Sequence, residues 1–189
     1  LVQMLVVFVG ILGAGFALQT LGGLRGEETT GRLELELAAG RSRWSLLALH
    51  TAVVAAGAVL VVVAGSAAFA LATSVALDDP DSLGRIVAAG SWQVPAALVF
   101  VGVSVALFGW VPRMQALAWA LFAVSAVVTF MGPTLRLTES QMRRSPFGAV
   151  GRAPVGPVDT IGVAVLLLVA VALVGAGLVG FRRRDVPRT

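Results

Sequence analysis

The side chains best suited to chemistry in this sequence are concentrated in one segment, residues 25–43. Glu28, Arg32 and Glu36 recur there every four residues. On a helix this spacing aligns alternating charges in one stripe, which favours ion-paired docking against another surface. We therefore expect residues 25–43, called the charged insert below, to bind a partner through charge.

The secondary structure of the charged insert is open to two interpretations. Leu33, Leu35 and Leu37 alternate with Glu34 and Glu36, and period-two alternation is typical of a strand. A lone strand has no pairing partner, however, and Leu33 with Leu37 would form an apolar stripe on a helix, so we predict a helix. That helix could dock on a protein or lie on anionic lipid. The glutamates weaken its attraction to such lipid and favour a protein.

The residue types that most enzymes rely on are scarce. His50 is the single histidine, and the sequence has no cysteine and no lysine. A phosphate-cradling loop for ATP ends in a lysine, and a transition-metal site needs several histidines, cysteines or clustered carboxylates. The G-x-S-x-G turn of a serine hydrolase is also absent. We therefore expect no catalytic residue, no metal site and no cofactor in this chain.

The composition predicts a membrane protein built of helices. Mean hydropathy is +0.93 and charged residues make up 13% of the chain. Several continuous apolar runs are long enough to cross a bilayer, and their lack of alternation excludes a transmembrane barrel. The sequence therefore predicts an all-α polytopic membrane protein with five transmembrane helices. They cover residues 1–24, 44–77, 91–111, 114–132 and 158–181. External loops are expected over 78–90 and 133–157, and the second loop should contain a short amphipathic helix over 135–144. A basic cytoplasmic tail, 182–189, follows the last helix.

The distribution of arginine predicts how these helices are oriented. Nine arginines fall on the side of the membrane that holds the charged insert and five fall on the other side. Because cytoplasmic loops carry an excess of basic residues, the charged insert is expected in the cytoplasm, with the protein in the cell membrane. The same argument assigns the basic residues to flanks of the membrane helices, so we expect no nucleic-acid partner.

Small residues indicate where the helices pack closely. Ala52 with Ala56, and Ala64 with Ala68, are spaced four apart on the second predicted helix, and glycines recur on the last one at Gly175, Gly177 and Gly180. Such residues let two helix backbones approach each other in a membrane. We therefore expect a tightly packed bundle, a feature that does not identify a function.

Two short groups of residues resemble a known family. The charged insert contains Glu27-Glu28, then Gly31-Arg32-Leu33-Glu34, then Leu37-Ala38 and Arg41-Ser42-Arg43-Trp44. Ser145-Pro146-Phe147 and the tail Gly180-Phe181-Arg182-Arg183-Arg184-Asp185 form the second group. Together they resemble type-2 permease subunits of ATP-binding-cassette (ABC) exporters, in particular the C-terminal half of the actinobacterial antibiotic and polyketide efflux branch.

That resemblance implies a transport subunit driven by a separate ATPase. The charged insert would be a cytoplasmic coupling helix that contacts two copies of a nucleotide-binding subunit, which would hold the ATP and magnesium. The implied coupling residues are Glu27, Glu28, Arg32, Glu34, Leu37, Arg41 and Arg43. The family has six helices per half, so we expect one helix, or a whole further half, upstream of Leu1. The resemblance also implies pairing with another permease half, either upstream in the same chain or as a second copy. The implied activity is outward movement of a lipophilic drug, antibiotic or lipid-like molecule.

The membrane helices themselves predict the nature of the cargo. An ion-coupled carrier usually has acidic residues at the bilayer midplane, and these five helices show none. An apolar or amphipathic cargo is therefore favoured. Candidate pathway residues are Phe8, Phe16 and Gln19 on the first helix and Phe122 and Phe130 on the fourth, since phenylalanines eight residues apart share one helix face. The alternatives are a secondary carrier with its ion site elsewhere and a membrane scaffold that transports nothing.

Overall fold

The computed structural model describes residues 2–29 and 43–183 of the chain. Apart from one isolated β-bridge between Gly151 and Val158, the regular structure of these residues is helical. The eight α-helices described are α1 (Val2–Thr29), α2 (Arg43–Leu77), α3 (Ser82–Ser91), α4 (Val94–Trp110), α5 (Ala116–Met131), α6 (Glu139–Met142), α7 (Pro146–Ala149) and α8 (Thr160–Arg183). A short 3₁₀ turn, Pro112–Met114, joins α4 to α5.

Five segments of the described chain are long and apolar enough to cross a membrane, which confirms the predicted fold class. They are Val2–Gly23, Ser45–Leu77, Ser82–Trp110, Pro112–Met131 and Thr160–Arg183. A helix of about 20 apolar residues spans the hydrocarbon core of a bilayer while satisfying its own backbone hydrogen bonds. The protein is a multi-pass, all-α membrane protein.

The helices of the described chain run alternately between two ends of a bundle. Glycine contacts fix the directions. Gly13 of α1 faces Val62 of α2 while Val9 of α1 faces Gly65, so α1 and α2 are antiparallel. Gly10 faces Gln93 and Gly13 also faces Ala97, so α1 and α4 run in the same direction. We call the end that holds Thr29 and the start of α2 the insert end. The opposite end, with α3, α6 and α7, is called the cap end.

The third span begins earlier than the sequence indicated. Residues 78–90 were expected to form a loop, but most of them belong to α3, whose buried face includes Ile86 and Ala89. The Oγ of Ser82 donates to the carbonyl of Asp79 at 2.7 Å as this helix begins. Only Trp92 and Gln93 separate α3 from α4, so the two helices together form one interrupted span.

The predicted amphipathic helix over 135–144 is shorter than expected. Helix α6 covers only Glu139–Met142, and it begins in a capping box where the backbone N–H of Thr138 donates to Oε1 of Gln141 at 2.8 Å. Arg136, three residues before the start of α6, has a left-handed backbone with φ of 54°. That conformation is incompatible with a helix running through position 136, and this explains the late start.

Helix α2 packs against its neighbours through a different face from the alanine face that the sequence predicted. The alanines at 52, 56, 64 and 68 are all exposed. The buried residues instead repeat every four positions along a neighbouring row, which consists of Val54, Ala58, Val62, Ser66 and Ala70. Because both rows have helical spacing and both are small or apolar, the sequence could not distinguish them. Within the described residues, the close packing predicted for those alanines is made by the neighbouring row instead.

Helices α4 and α8 form the most extensive pair in the described bundle, and glycine makes it possible. A Cβ added at Gly109 would lie 2.0 Å from the carbonyl oxygen of Gly177. Near the same end, the Nε1 of Trp110 donates to the carbonyl of Ala176 at 2.8 Å, with Gly180 directly beneath the indole. The structure thus confirms Gly177 and Gly180 as packing positions, whereas a Cβ added at Gly175 would meet no other atom of the described residues within 4 Å.

Candidate functional site

The charged insert joins two neighbouring antiparallel helices at the insert end. Glu27 and Glu28 lie in the last turns of α1, beyond the apolar part of that helix, which ends at Gly23. Arg43 is the first residue of α2. The other proposed coupling residues, Arg32, Glu34, Leu37 and Arg41, lie outside the residues that the structure describes.

The candidate pathway residues of α1 lie at the surface of the described bundle. Phe8 is 47% exposed and Phe16 38% exposed, and Gln19 is exposed as well. The ring of Phe16 lies over Gly57 of α2, where an added Cβ would be 2.7 Å from its Cε1 atom. These three side chains therefore remain available to line a path between this bundle and whatever lies beside it.

The candidate pathway residues of α5 point elsewhere. Phe122 meets Phe100 edge-to-face at a centroid distance of 5.6 Å and Trp119 at 5.7 Å, and Phe130 packs against the same apolar core. In the described residues, the ring contacts of Phe122 do not include either phenylalanine of α1. The structure thus separates the two pairs that the sequence grouped together: the α1 pair is exposed at the surface, whereas the α5 pair is partly buried against the core.

The segment between α5 and α8 enters the bundle at the cap end. Phe147 of α7 is fully buried and stacks on Phe100 with centroids 5.4 Å apart. Just before it, the Oγ of Ser145 lies 2.9 Å from Oγ1 of Thr129 and 3.2 Å from the carbonyl of Ser125. This plug of residues 145–150 was not predicted, although Ser-Pro-Phe is a recognisable signal: a capping serine, a proline at the first helical position and one large aromatic in a polar stretch.

The remainder of this segment is held by backbone and ionic contacts. The N–H of Arg152 donates to the carbonyl of Pro157 at 3.2 Å, and the N–H of Asp159 donates to the carbonyl of Val150 at 2.9 Å. Gly151 has a φ of 105°, a conformation that favours glycine. The closed loop over 151–159 thus presents the side chain of Arg152 from a fixed backbone.

Two ion pairs connect this loop to its neighbours. Arg152 pairs with Glu139 of α6, and Arg143 pairs with Asp159, which precedes α8. The second oxygen of Asp159 accepts a hydrogen bond of 3.0 Å from the N–H of Gly162, so the carboxylate also caps α8. All four charged side chains lie at the cap end, where the helices leave the apolar part of the bundle.

Five buried polar residues inside the spans differ in how their side chains are hydrogen-bonded. Thr51 and Ser66 bond to the carbonyl four residues earlier in their own helix. Gln93, Ser104 and Gln115 are at least nine-tenths buried, yet each has side-chain atoms with no hydrogen-bond partner within residues 2–29 and 43–183. Burial of a polar atom without a hydrogen bond costs free energy, so these three side chains reduce the stability of the described bundle.

Comparison with known proteins identifies the family. The family model for the C-terminal domain of the multidrug efflux system permease Rv1217c matches residues 1–182. The chain belongs to this permease family. A curated relative, the multidrug efflux system permease protein Rv1217c of Mycobacterium tuberculosis (strain ATCC 25618 / H37Rv), is 30% identical over 179 residues. The alignment covers 94% of this chain and 33% of the relative, so the chain spans about a third of that protein's length.

Membership of this permease family confirms the resemblance that the sequence suggested, including the assignment to the C-terminal part of the permease. The match runs through the charged insert, the span interrupted between α3 and α4, and the cap-end segment that contains Phe147. The whole described architecture is therefore the architecture of a permease domain in a multi-pass membrane protein.

Proposed function

We propose that this chain is the C-terminal permease half of an ATP-driven exporter that moves a lipophilic drug, antibiotic or lipid-like molecule out of the cell. The observation that carries this proposal is the match of the permease family model to residues 1–182. The relative's name describes a permease of a multidrug efflux system, and its greater length leaves room for a second permease half.

The charged insert is the proposed contact with the ATPase. Helix α1 extends beyond its apolar part, Val2–Gly23, as far as Thr29. At 1.5 Å per residue these six residues lengthen the helix by roughly 9 Å. This extension places Glu27 and Glu28 beyond the apolar part of α1. A force applied to the charged insert would therefore be transmitted to α1.

The packing of α1 supports transmission of that push. Helix α1 contacts both α2 and the α3–α4 span, with Gly13 against Val62 and Gly10 against Gln93. Because close-packed helices shift as units, a movement of α1 would shift its partners. ATP and magnesium would be bound by two copies of the partner ATPase, and their closure would switch the permease between inward and outward access.

The exposed face of α1 is the proposed pathway surface of this half. It presents Phe8, Phe16 and Gln19, a largely apolar set suited to a lipophilic cargo. A second permease half would lie opposite this face and complete the pathway. Phe122 and Phe130, both partly buried against the core, would then support the pathway from behind, Phe122 through its ring contact with Phe100.

The test is to separate transport from ATP turnover. We expect Glu28→Ala and Glu34→Ala to reduce drug efflux from cells and drug-stimulated ATP hydrolysis by the purified complex, because each removes one of the proposed coupling charges from the charged insert. Asp81→Ala is the matched control, since Asp81 is an exposed carboxylate at the cap end. Full coupling in both insert variants would remove the docking role, and purification without any stoichiometric ATPase would contradict the exporter proposal.

A further inference from the structure

We propose that the cap end contains a binding site for an amphipathic anion, a molecule with one carboxylate or phosphate head group on an apolar body. The site is a cavity of about 350 Å³ between the start of α1, the end of α5 and the segment that contains α6 and α7. This volume lies within the range of roughly 300–1,000 Å³ that is usual for small-molecule sites.

The walls of the cavity differ in polarity. Val7 and Phe147, both buried in the core, contribute its apolar surface together with Met142. Glu139, Arg143 and Arg152 contribute its charged surface. A ligand that fills this cavity therefore needs an apolar part against the core and a charged or polar part among these three side chains.

The charge of the cavity favours an anion. Two of its three charged lining residues are arginines, Arg143 and Arg152, against the single carboxylate of Glu139. Arg143 pairs with the carboxylate of Asp159. The second oxygen of that carboxylate accepts a hydrogen bond from the N–H of Gly162 in the first turn of α8. Because the positive end of that helix already stabilises Asp159, the arginine is only partly neutralised.

Both arginines retain hydrogen-bonding capacity. Each is paired through a single terminal nitrogen, Nη2, to one carboxylate oxygen. A guanidinium has five N–H donors, and within residues 2–29 and 43–183 the others on Arg143 and Arg152 have no acceptor. Carboxylate and phosphate are the groups that this planar donor set binds best.

Backbone and core contacts hold the segment that carries these side chains, although the charged groups themselves are more than half exposed. Arg152 projects from the loop closed by the Gly151–Val158 bridge, and α7 is anchored by the buried ring of Phe147. Gly148, beside that ring, allows close contact with α6, since an added Cβ would lie 2.2 Å from the carbonyl of Met142. Backbone that is already ordered loses less entropy when a ligand enters.

The test is a binding measurement that needs no ATPase, so its outcome is independent of the proposed transport function. The full-length protein in nanodiscs of phosphatidylcholine is titrated calorimetrically with octyl phosphate and with octyl glucoside, and the heats of empty nanodiscs are subtracted. We expect saturable binding of octyl phosphate and much weaker binding of octyl glucoside, which has the same chain without the charge. Equal binding of both would overturn the proposal.

Variants locate the site. Arg152→Gln should weaken octyl phosphate binding about tenfold, the effect of losing one charge-assisted hydrogen bond. Glu139→Gln should strengthen binding, because it releases Arg152 from its carboxylate, and a misfolded protein could not produce that gain. Arg144→Gln is the control, an exposed neighbouring arginine outside the lining of the cavity. Unchanged affinity in Arg152→Gln, or loss of affinity in Glu139→Gln, would overturn the proposal.

A last arm identifies the natural source of the head group. Replacing part of the phosphatidylcholine by phosphatidylglycerol introduces an anionic lipid of the same chemistry. Weaker octyl phosphate binding in these nanodiscs supports the site and assigns it to membrane lipid. Undiminished binding supports the site and assigns it to a dissolved or transported amphiphile.

Discussion

Addition of a single methyl group at Gly177 should separate the two most extensively packed helices of the bundle. In Gly177→Ala the new Cβ would lie 2.4 Å from the carbonyl oxygen of Val105 and 2.5 Å from its carbonyl carbon. Ordinary van der Waals contact begins at 3.4 Å, so α4 and α8 must move apart by about 1 Å at this point. The obstructing atoms belong to the backbone, so no side chain can rotate to relieve the clash.

The expected loss of stability follows from this displacement. Overpacking a well-packed interface costs typically 1–3 kcal/mol, and a backbone clash belongs at the upper end, at about 3 kcal/mol. Replacing glycine by alanine inside a helix returns up to about 1 kcal/mol through helix propensity. The net loss is therefore about 2 kcal/mol, which corresponds to a fall in Tm of roughly 4–8 °C for a chain of this size.

The assay compares Gly177→Ala with Gly175→Ala in thermal unfolding of the detergent-solubilised protein. Gly175 lies two residues away on the same helix, and no atom outside its own helix backbone and chain neighbours lies within 4 Å of an added Cβ. Its replacement should leave Tm unchanged or raise it slightly. Equal Tm values for the two variants would refute the packing of α8 on α4 described above.

Two further substitutions test other parts of the structure. Phe147→Ala should lower the free energy of unfolding by about 3–5 kcal/mol, because it removes a fully buried ring. The control Leu168→Ala, at a position 70% exposed, should leave the Tm in detergent nearly unchanged. Similar Tm values for the two variants would contradict the burial of Phe147. In Gly57→Ala the added Cβ would lie 2.7 Å from the ring of Phe16, so the ring should turn away from α2. We expect a lower rate of drug efflux with little change in Tm. Unaltered efflux would argue against a pathway role for Phe16.

The number of membrane spans could be predicted because lipid leaves the backbone few options. A long apolar segment must satisfy its own hydrogen bonds, so run length alone identifies a helix. Helix α3 escaped prediction because it is short and amphipathic, with Arg85 exposed and Ile86 buried. Its mean hydropathy is close to that of a loop. Its packing against α2 in the folded protein is what identifies it as the first part of the third span.

The direction in which each helix faces was harder to predict. Along α2 the apolar character is nearly uniform, so the row through Ala52 and the row through Val54 were equivalent in the sequence. The choice depends on the shape of the partner helix, as where Gly13 of α1 admits Val62. The cavity at the cap end was missed for the same reason, since Arg143 and Arg152 meet only after the segment folds back.

The most direct test of the account is to determine which side of the membrane holds the charged insert. This chain has no cysteine, so Glu34→Cys introduces a single thiol into it. A maleimide that cannot cross membranes should leave this thiol unlabelled in intact cells and label it after permeabilisation, while Asp81→Cys at the cap end should be labelled in both. Labelling of position 34 in intact cells would place the insert outside and contradict its coupling to a cytoplasmic ATPase.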